Sequence, residues 1–136
     1  MNAKVIGYWA CTVVIAVLFL SGGFMQAMRF PAATAGITHL GYPIHFSILL
    51  GVWKILGAIV ILLPGFALVK EWAYAGIVID LTGASVAHAA AGGPAGNVIA
   101  PLVFTAIVVA SWALRPSSRK LILSLGPRNV SRTVSA

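Results

Sequence analysis

The sequence predicts an all-α integral membrane protein, a four-helix bundle of antiparallel up-down topology with both termini on the cytoplasmic side. Two observations on composition and one on arrangement predict it. Of 136 residues 60% are hydrophobic and 8% charged, where a soluble domain carries about 25% charged residues. The mean hydropathy is +1.02. The few charges leave four long apolar runs, each close to the ~20 residues that a bilayer crossing needs. A small chain has a large surface for its volume and needs polar residues to cover it in water, so a soluble globular enzyme is excluded. Disorder requires low hydrophobicity and high charge and is excluded as well.

The first span is expected over residues 5–28, a stretch without any charge. Lys4 ahead of it resembles the start of a secretory signal, but the run outlasts the usual ~7–15 apolar residues and no small-residue cleavage site follows. It reads as a retained helix, ended by Arg29 and Pro31. Residues 30–45 read as a Pro/Gly/Thr/His loop, with Gly41, Tyr42 and Pro43 as a turn. A second span is expected over 46–63, with Lys54 inside it and Pro64-Gly65 as its stop. Lys70, Glu71 and Trp72 open a third, over 72–91, with Asp80 inside it. Gly92, Gly93 and Pro94 make a turn into a fourth span over 98–114, with Pro101 expected in its first turn, where a missing N–H costs little. The four spans form one membrane domain over residues 1–116, followed by a basic cytoplasmic tail over 117–136.

The formal charge of +7 does not form a basic face interleaved with aromatics, so nucleic acid is not an expected partner. Its distribution is topological. Lys4, Lys70, Arg115, Arg119, Lys120, Arg128 and Arg132 fall on the side of the termini, and Arg29 alone falls on the other. Cytoplasmic loops carry the excess of Lys and Arg, so the termini are expected in the cytoplasm, with Trp9, Trp72 and Trp112 as interfacial aromatics. Leu121, Ile122, Leu123 and Leu125 give the tail an apolar side that could rest on lipid. Cys11 is the lone cysteine; it forms no internal disulfide and no CxxC pair.

Two charges have no topological role. Lys54 and Asp80 each stand 13 positions from residue 67, the centre of the turn between the second and third spans. At ~1.5 Å per residue both lie about 20 Å from that turn, at one depth near mid-membrane. A lone charge there costs at least ~2.5–3.5 kcal/mol, so an ion pair is the natural outcome. Ser47, Gly51, Lys54 and Ala58 share one helix face, and Gly76, Asp80, Gly83 and Ala87 share another. These small residues are expected to let the two helices approach closely. The pair has two readings, a fixer of helix register or the floor of a polar pocket. His88, two turns beyond Asp80, is a candidate proton donor or acceptor in that pocket, and Gln26 and Ser47 are candidate pocket residues. Thr82 and Ser85 are expected to bond backbone carbonyls, Glu71 to complement the helix dipole, and Trp53 and Tyr74 to be apolar bulk. His39, His45 and His88 lack the spacing of a metal or haem site, and no metal is expected.

The segments that carry these residues resemble the DoxX-like family of small bacterial four-helix membrane proteins. They are Leu40-Gly41-Tyr42-Pro43, the LGVWKILG run at Leu50–Gly57, Pro64-Gly65-Phe66, the KEWAYAG run at Lys70–Gly76, DLTGA at Asp80–Ala84 with His88, and SWALRP at Ser111–Pro116. The resemblance covers about residues 5–116 and leaves the basic tail outside. It implies a bacterial inner-membrane protein. The wider DoxX/DoxD group includes a small subunit associated with thiosulfate:quinone oxidoreduction and members linked to thiol and oxidative stress, which implies quinone as a cofactor and a redox partner subunit. No catalytic residue is carried over, since no redox motif is shared.

Three functions follow as expectations. The first is a hydrophobic-ligand-binding or quinone-associated subunit, with Lys54 donating to a ligand carbonyl and Asp80 holding it charged. The second is an enzyme doing acid/base chemistry on a lipophilic substrate, an isomerase or epoxide-opening catalyst using Asp80 or His88, with Lys54 setting the carboxylate's proton affinity. The third is a small proton-coupled transporter. The lipid bilayer and a second copy, as a homodimer, are the remaining expected partners.

Overall fold

The computed structural model describes residues 2–121. Among them it contains five α-helices and no strand: α1 (Ala3–Ala27), α2 (Pro31–His39), α3 (Ile44–Leu62), α4 (Ala67–Ala90) and α5 (Ala95–Leu114), then a single 3-10 turn at Ser117–Arg119. α1, α3, α4 and α5 are long and apolar enough to cross a membrane. They close a ring in the order α1, α3, α4, α5, with α1 against both α3 and α5, and α3 and α4 touching least. Arg128, Arg132 and the apolar residues Ile122, Leu123 and Leu125 lie outside the described residues.

The expected loop over 30–45 holds a helix. Pro31 stands at the first helical position of α2, where its missing N–H is no loss and its fixed φ favours helix. Thr34 and Thr38 then bond back to the carbonyls of Phe30 and Thr34 at 3.1 Å each. Their hydroxyls are satisfied within one short helix of mostly small residues, which no apolar periodicity announces.

Both C-terminal spans also begin earlier than expected. α4 starts at Ala67, preceded by Gly65 and Phe66 in the left-handed region at φ 74° and 53°. Glu71 therefore lies in the second turn and not at the helix start. α5 starts at Ala95, which moves Pro101 out of the first turn and into the helix interior. Its missing N–H leaves the carbonyl of Asn97 without its helical partner, at an end where Asn97 is exposed.

The core draws on all four long helices: Ile15 and Phe19, Ala58 and Ile61, Tyr74, Ile77 and Leu81, and Val108. Lipid is as apolar as these side chains, so hydrogen bonds and close approach must add to the packing. Ser111 Oγ lies 2.8 Å from both Thr12 Oγ1 and Tyr74 Oη, which joins α1, α4 and α5 in the interior. Ser85 donates to the carbonyl of Val98 on α5 at 2.7 Å, across to a neighbouring helix, whereas Thr82 bonds its own helix at Val78. Tyr74 is thus a hydrogen-bonded core residue, while Trp53 is exposed.

α1 and α3 meet backbone to backbone. A Cβ on Gly51 would stand 2.5 Å from the carbonyl oxygen of Gly23, and one on Gly23 would stand 2.7 Å from that of Gly51. The small stripe of α3 therefore faces α1, not α4. Gly76 and Gly83 have open space where a side chain would be. The stripe on α4 leaves room beside α3 and does not bring the helices together.

At the end shared by both termini, three cations are committed to structure. Lys70 is fully buried, and its ammonium donates to the carbonyls of Val60, at 2.8 Å, and Leu63, capping α3. Arg119 donates to the carbonyls of Ile61, Leu62 and Leu63 and to Tyr8 Oη at 3.3–3.4 Å, and stacks over Trp9 at 4.8 Å. Buried Arg115 pairs with Glu71 at 2.6 Å, and Glu71 also accepts from Trp112 Nε1 at 2.8 Å. The first residues of the expected tail are therefore docked on the bundle.

Candidate functional site

Lys54 and Asp80 meet across the α3–α4 seam, with Nζ 3.5 Å from Oδ2 and side chains 19% and 13% exposed. The depth arithmetic from the connecting turn explains the meeting, since antiparallel neighbours place residues equidistant from the turn side by side. The ammonium also sits 5.6 Å from the centre of the Phe19 ring, a cation–π contact. Among the described residues neither side chain makes a hydrogen bond that meets ordinary geometry; the 3.5 Å ion pair is their whole polar contact. An ammonium has three donors and a carboxylate about four acceptor positions, so most of this capacity is free.

Two clefts share the pair as a wall. The cleft toward the α3–α4 turn has a volume of ≈ 360 Å³ and is almost wholly apolar. Beyond Lys54 and Asp80 it is walled by Phe19, Trp53, Val60, Trp72 and Gly76. Exposed Trp53, Leu56 and Trp72 rim it, so it opens toward lipid. The cleft toward α2 has a volume of ≈ 460 Å³ and a more polar lining, with Gln26, Tyr42, Gly83 and His88 around the pair. Its walls include Gly36, Ile37 and Leu40 from α2 and the turn after it. Leu50, Lys54 and Asp80 line both clefts.

Of the residues singled out in the sequence, the α2-side cleft brings together Lys54, Asp80, His88 and Gln26. Gln26 is buried, and its Oε1 has no hydrogen-bond partner, a condition that buried amides rarely keep without a water or ligand. Ser47 is not brought to the pair. It lies on the α3 face of Gly51, fully buried and unpartnered, and lines neither cleft. His39 and His45 are exposed and also line neither. Among the described residues no three His, Cys, Asp or Glu side chains gather as metal ligands.

Sequence reasoning missed the wall that α2 supplies and the place of Trp53 and Trp72 on the rim of the turn-side cleft. The Gly41-Tyr42-Pro43 turn was the available signal for the first, because it fixes where α2 returns to the bundle. Nothing in a single sequence distinguishes a cleft-lining tryptophan from an interfacial one.

Four apolar spanning helices make the chain a multi-pass membrane protein. No curated protein and no solved structure matches it. The segments that hold the pair, the clefts and His88 all lie within residues 10–111, which match the model of the DoxX-like family, and the chain belongs to that family.

Proposed function

We propose that the protein is a membrane-embedded binding subunit for a lipophilic ligand with a carbonyl-bearing head, of the quinone class, held at Lys54. The observation that carries the reading is the contrast between two lysines. Lys70 is closed, buried and bonded to two carbonyls. Lys54 has one carboxylate at 3.5 Å and faces two clefts. A charge kept in the membrane interior only to fix register has its remaining donors satisfied by protein; Lys54 does not. The residues fit such a head: a free cationic donor for a carbonyl, a counter-ion that keeps it charged, and apolar walls with aromatic faces.

A second reading, acid/base catalysis on a lipophilic substrate, is favoured by Asp80, which has no hydrogen bond beside its ion pair and shares a cleft with His88. It requires that a bound ligand be chemically changed, which product analysis decides. We further assign the protein to the bacterial inner membrane with both termini cytoplasmic. The excess of Lys and Arg at the end shared by the termini supports this.

Trp53 and Trp72 line the turn-side cleft, so intrinsic fluorescence reports occupancy. A benzoquinone with a saturated ten-carbon chain, titrated into protein in lipid nanodiscs, is expected to quench saturably. Lys54→Met removes a charge-assisted hydrogen bond of about 1.5–3 kcal/mol, so Kd is expected to rise roughly 10- to 100-fold. Asp80→Asn is expected to weaken binding in the same direction. Unsaturable quenching in the wild type, or equal Kd in both variants, would overturn the reading.

A further inference from the structure

The two clefts that share the Lys54–Asp80 wall differ in chemistry, and the difference assigns an orientation and a length to whatever binds there. We infer that the site takes a single-chain amphiphile lying along the α3–α4 seam. Its head lies in the α2-side cleft among Gln26, Lys54, Asp80 and His88, and its apolar chain in the turn-side cleft. This rests on the binding reading above and adds to it the ligand's shape, direction and chain length.

The polar groups all lie on one side of the pair. Gln26, Tyr42 and His88 line only the α2-side cleft, and the turn-side cleft adds no polar side chain to Lys54 and Asp80 except the indoles of Trp53 and Trp72. Gln26 is buried with its Oε1 unpartnered, so the α2 side also holds an amide oxygen free to accept from a donor. The lengths agree. From Asp80 to His88 α4 rises about 12 Å, and from Asp80 back to Val69, at the far end of the turn-side cleft, about 16 Å, at ~1.5 Å per residue. Together these approach the ~30 Å of the hydrocarbon core. At roughly 30 Å³ per water-sized group, the ≈ 360 Å³ of the turn-side cleft holds about twelve such groups. A saturated chain of about ten to twelve carbons therefore fills it.

Gly76 and Gly83 allow each half to be closed separately. Gly76 lines only the turn-side cleft and Gly83 only the α2-side cleft. A Cβ at either meets nothing within 4 Å, so the side chain of Gly76→Leu or Gly83→Leu starts in open space beside the cleft that its residue lines. The experiment measures Kd, as mole fraction in nanodiscs, for alkyl benzoquinones with two, six, ten and fourteen carbons, each against wild type and both variants. Thermal midpoints no lower than that of the wild type verify folding.

In the wild type, affinity is expected to rise with chain length to about ten to twelve carbons and then level off. In Gly76→Leu the two-carbon probe binds as in wild type, and the gain from a longer chain is lost. In Gly83→Leu every probe is weakened at least tenfold. If Gly76→Leu instead abolishes the two-carbon probe while Gly83→Leu leaves it unchanged, the orientation is reversed and the inference fails, with the binding reading intact. Affinity independent of chain length likewise overturns the inference alone. No saturable binding of any probe to wild type overturns both.

Discussion

Lys54 and Lys70 both lie inside apolar helices, and their surroundings separate them by role. Lys70 reaches back along the α3–α4 turn to the last carbonyls of α3, groups that a helix end otherwise leaves orphaned. A helix end buried in protein has no water to replace such a cap. Lys70→Met is therefore expected to lower stability by about 1–3 kcal/mol, moderated because Arg119 still reaches Leu63. Replacing both members of the open pair, Lys54→Met with Asp80→Leu, is expected to be neutral or stabilising, as exchange of a buried ion pair for apolar residues often is. Thermal unfolding in one detergent, monitored by circular dichroism, compares the two. A destabilised double variant with a neutral Lys70→Met would reverse the roles assigned here. The depth match of Lys54 and Asp80 was legible because a turn and a constant rise fix it. The capping role of Lys70 was not, because a lysine beside a turn reads the same whether its ammonium points to water or back to a helix end.

The α1–α3 and α3–α4 interfaces depend on where their glycines fall. Periodicity identified the residues sharing a face with Lys54 and with Asp80, and those groupings hold. It could not say which neighbour each face meets. Gly51 turned out to face Gly23 on α1, an interface invisible until the ring order was known. The α4 stripe lines the clefts instead. These two environments give opposite signs for the same substitution. Gly51→Ala places a methyl 2.5 Å from the carbonyl oxygen of Gly23, so α1 and α3 must part, at a cost of about 1–3 kcal/mol. Gly83→Ala adds a methyl in open space and is expected to stabilise by about 0.4–1 kcal/mol, through the reduced freedom of the unfolded chain. Unfolding midpoints moving in opposite directions would bear this out; a stabilising Gly51→Ala would mean that the close crossing is absent in the membrane. α2 was the one helix hidden from sequence. Its nine residues carry no apolar stripe, and its punctuation by Pro, Gly and Thr resembles a loop until Pro31 is recognised as a helix start.

For the whole molecule, the asymmetry of charge from which an orientation is proposed also closes one end of the bundle. Lys70, Arg115 and Arg119 lie at that end and are bonded to carbonyls or to Glu71, whereas Lys4 and Lys120 are exposed. A positive-inside signal counts all of them alike, since insertion acts on a chain whose caps have not yet formed. Orientation and folding are therefore confounded in any experiment that neutralises these residues. Labelling avoids the difficulty. With Cys11→Ala as background, Ser118→Cys places a thiol on an exposed residue at the end of the termini, and Asn97→Cys places one on an exposed residue at the opposite end. A membrane-impermeant maleimide applied to intact spheroplasts is expected to label the thiol at residue 97, and the one at residue 118 only after permeabilisation. The reverse pattern would put the termini outside. It would also place the turn-side cleft in the outer half of the bilayer, and the α2-side cleft, with His88 and Gln26, next to the cytoplasm. The expected pattern instead places that polar cleft, and any head group bound there, in the outer half of the bilayer.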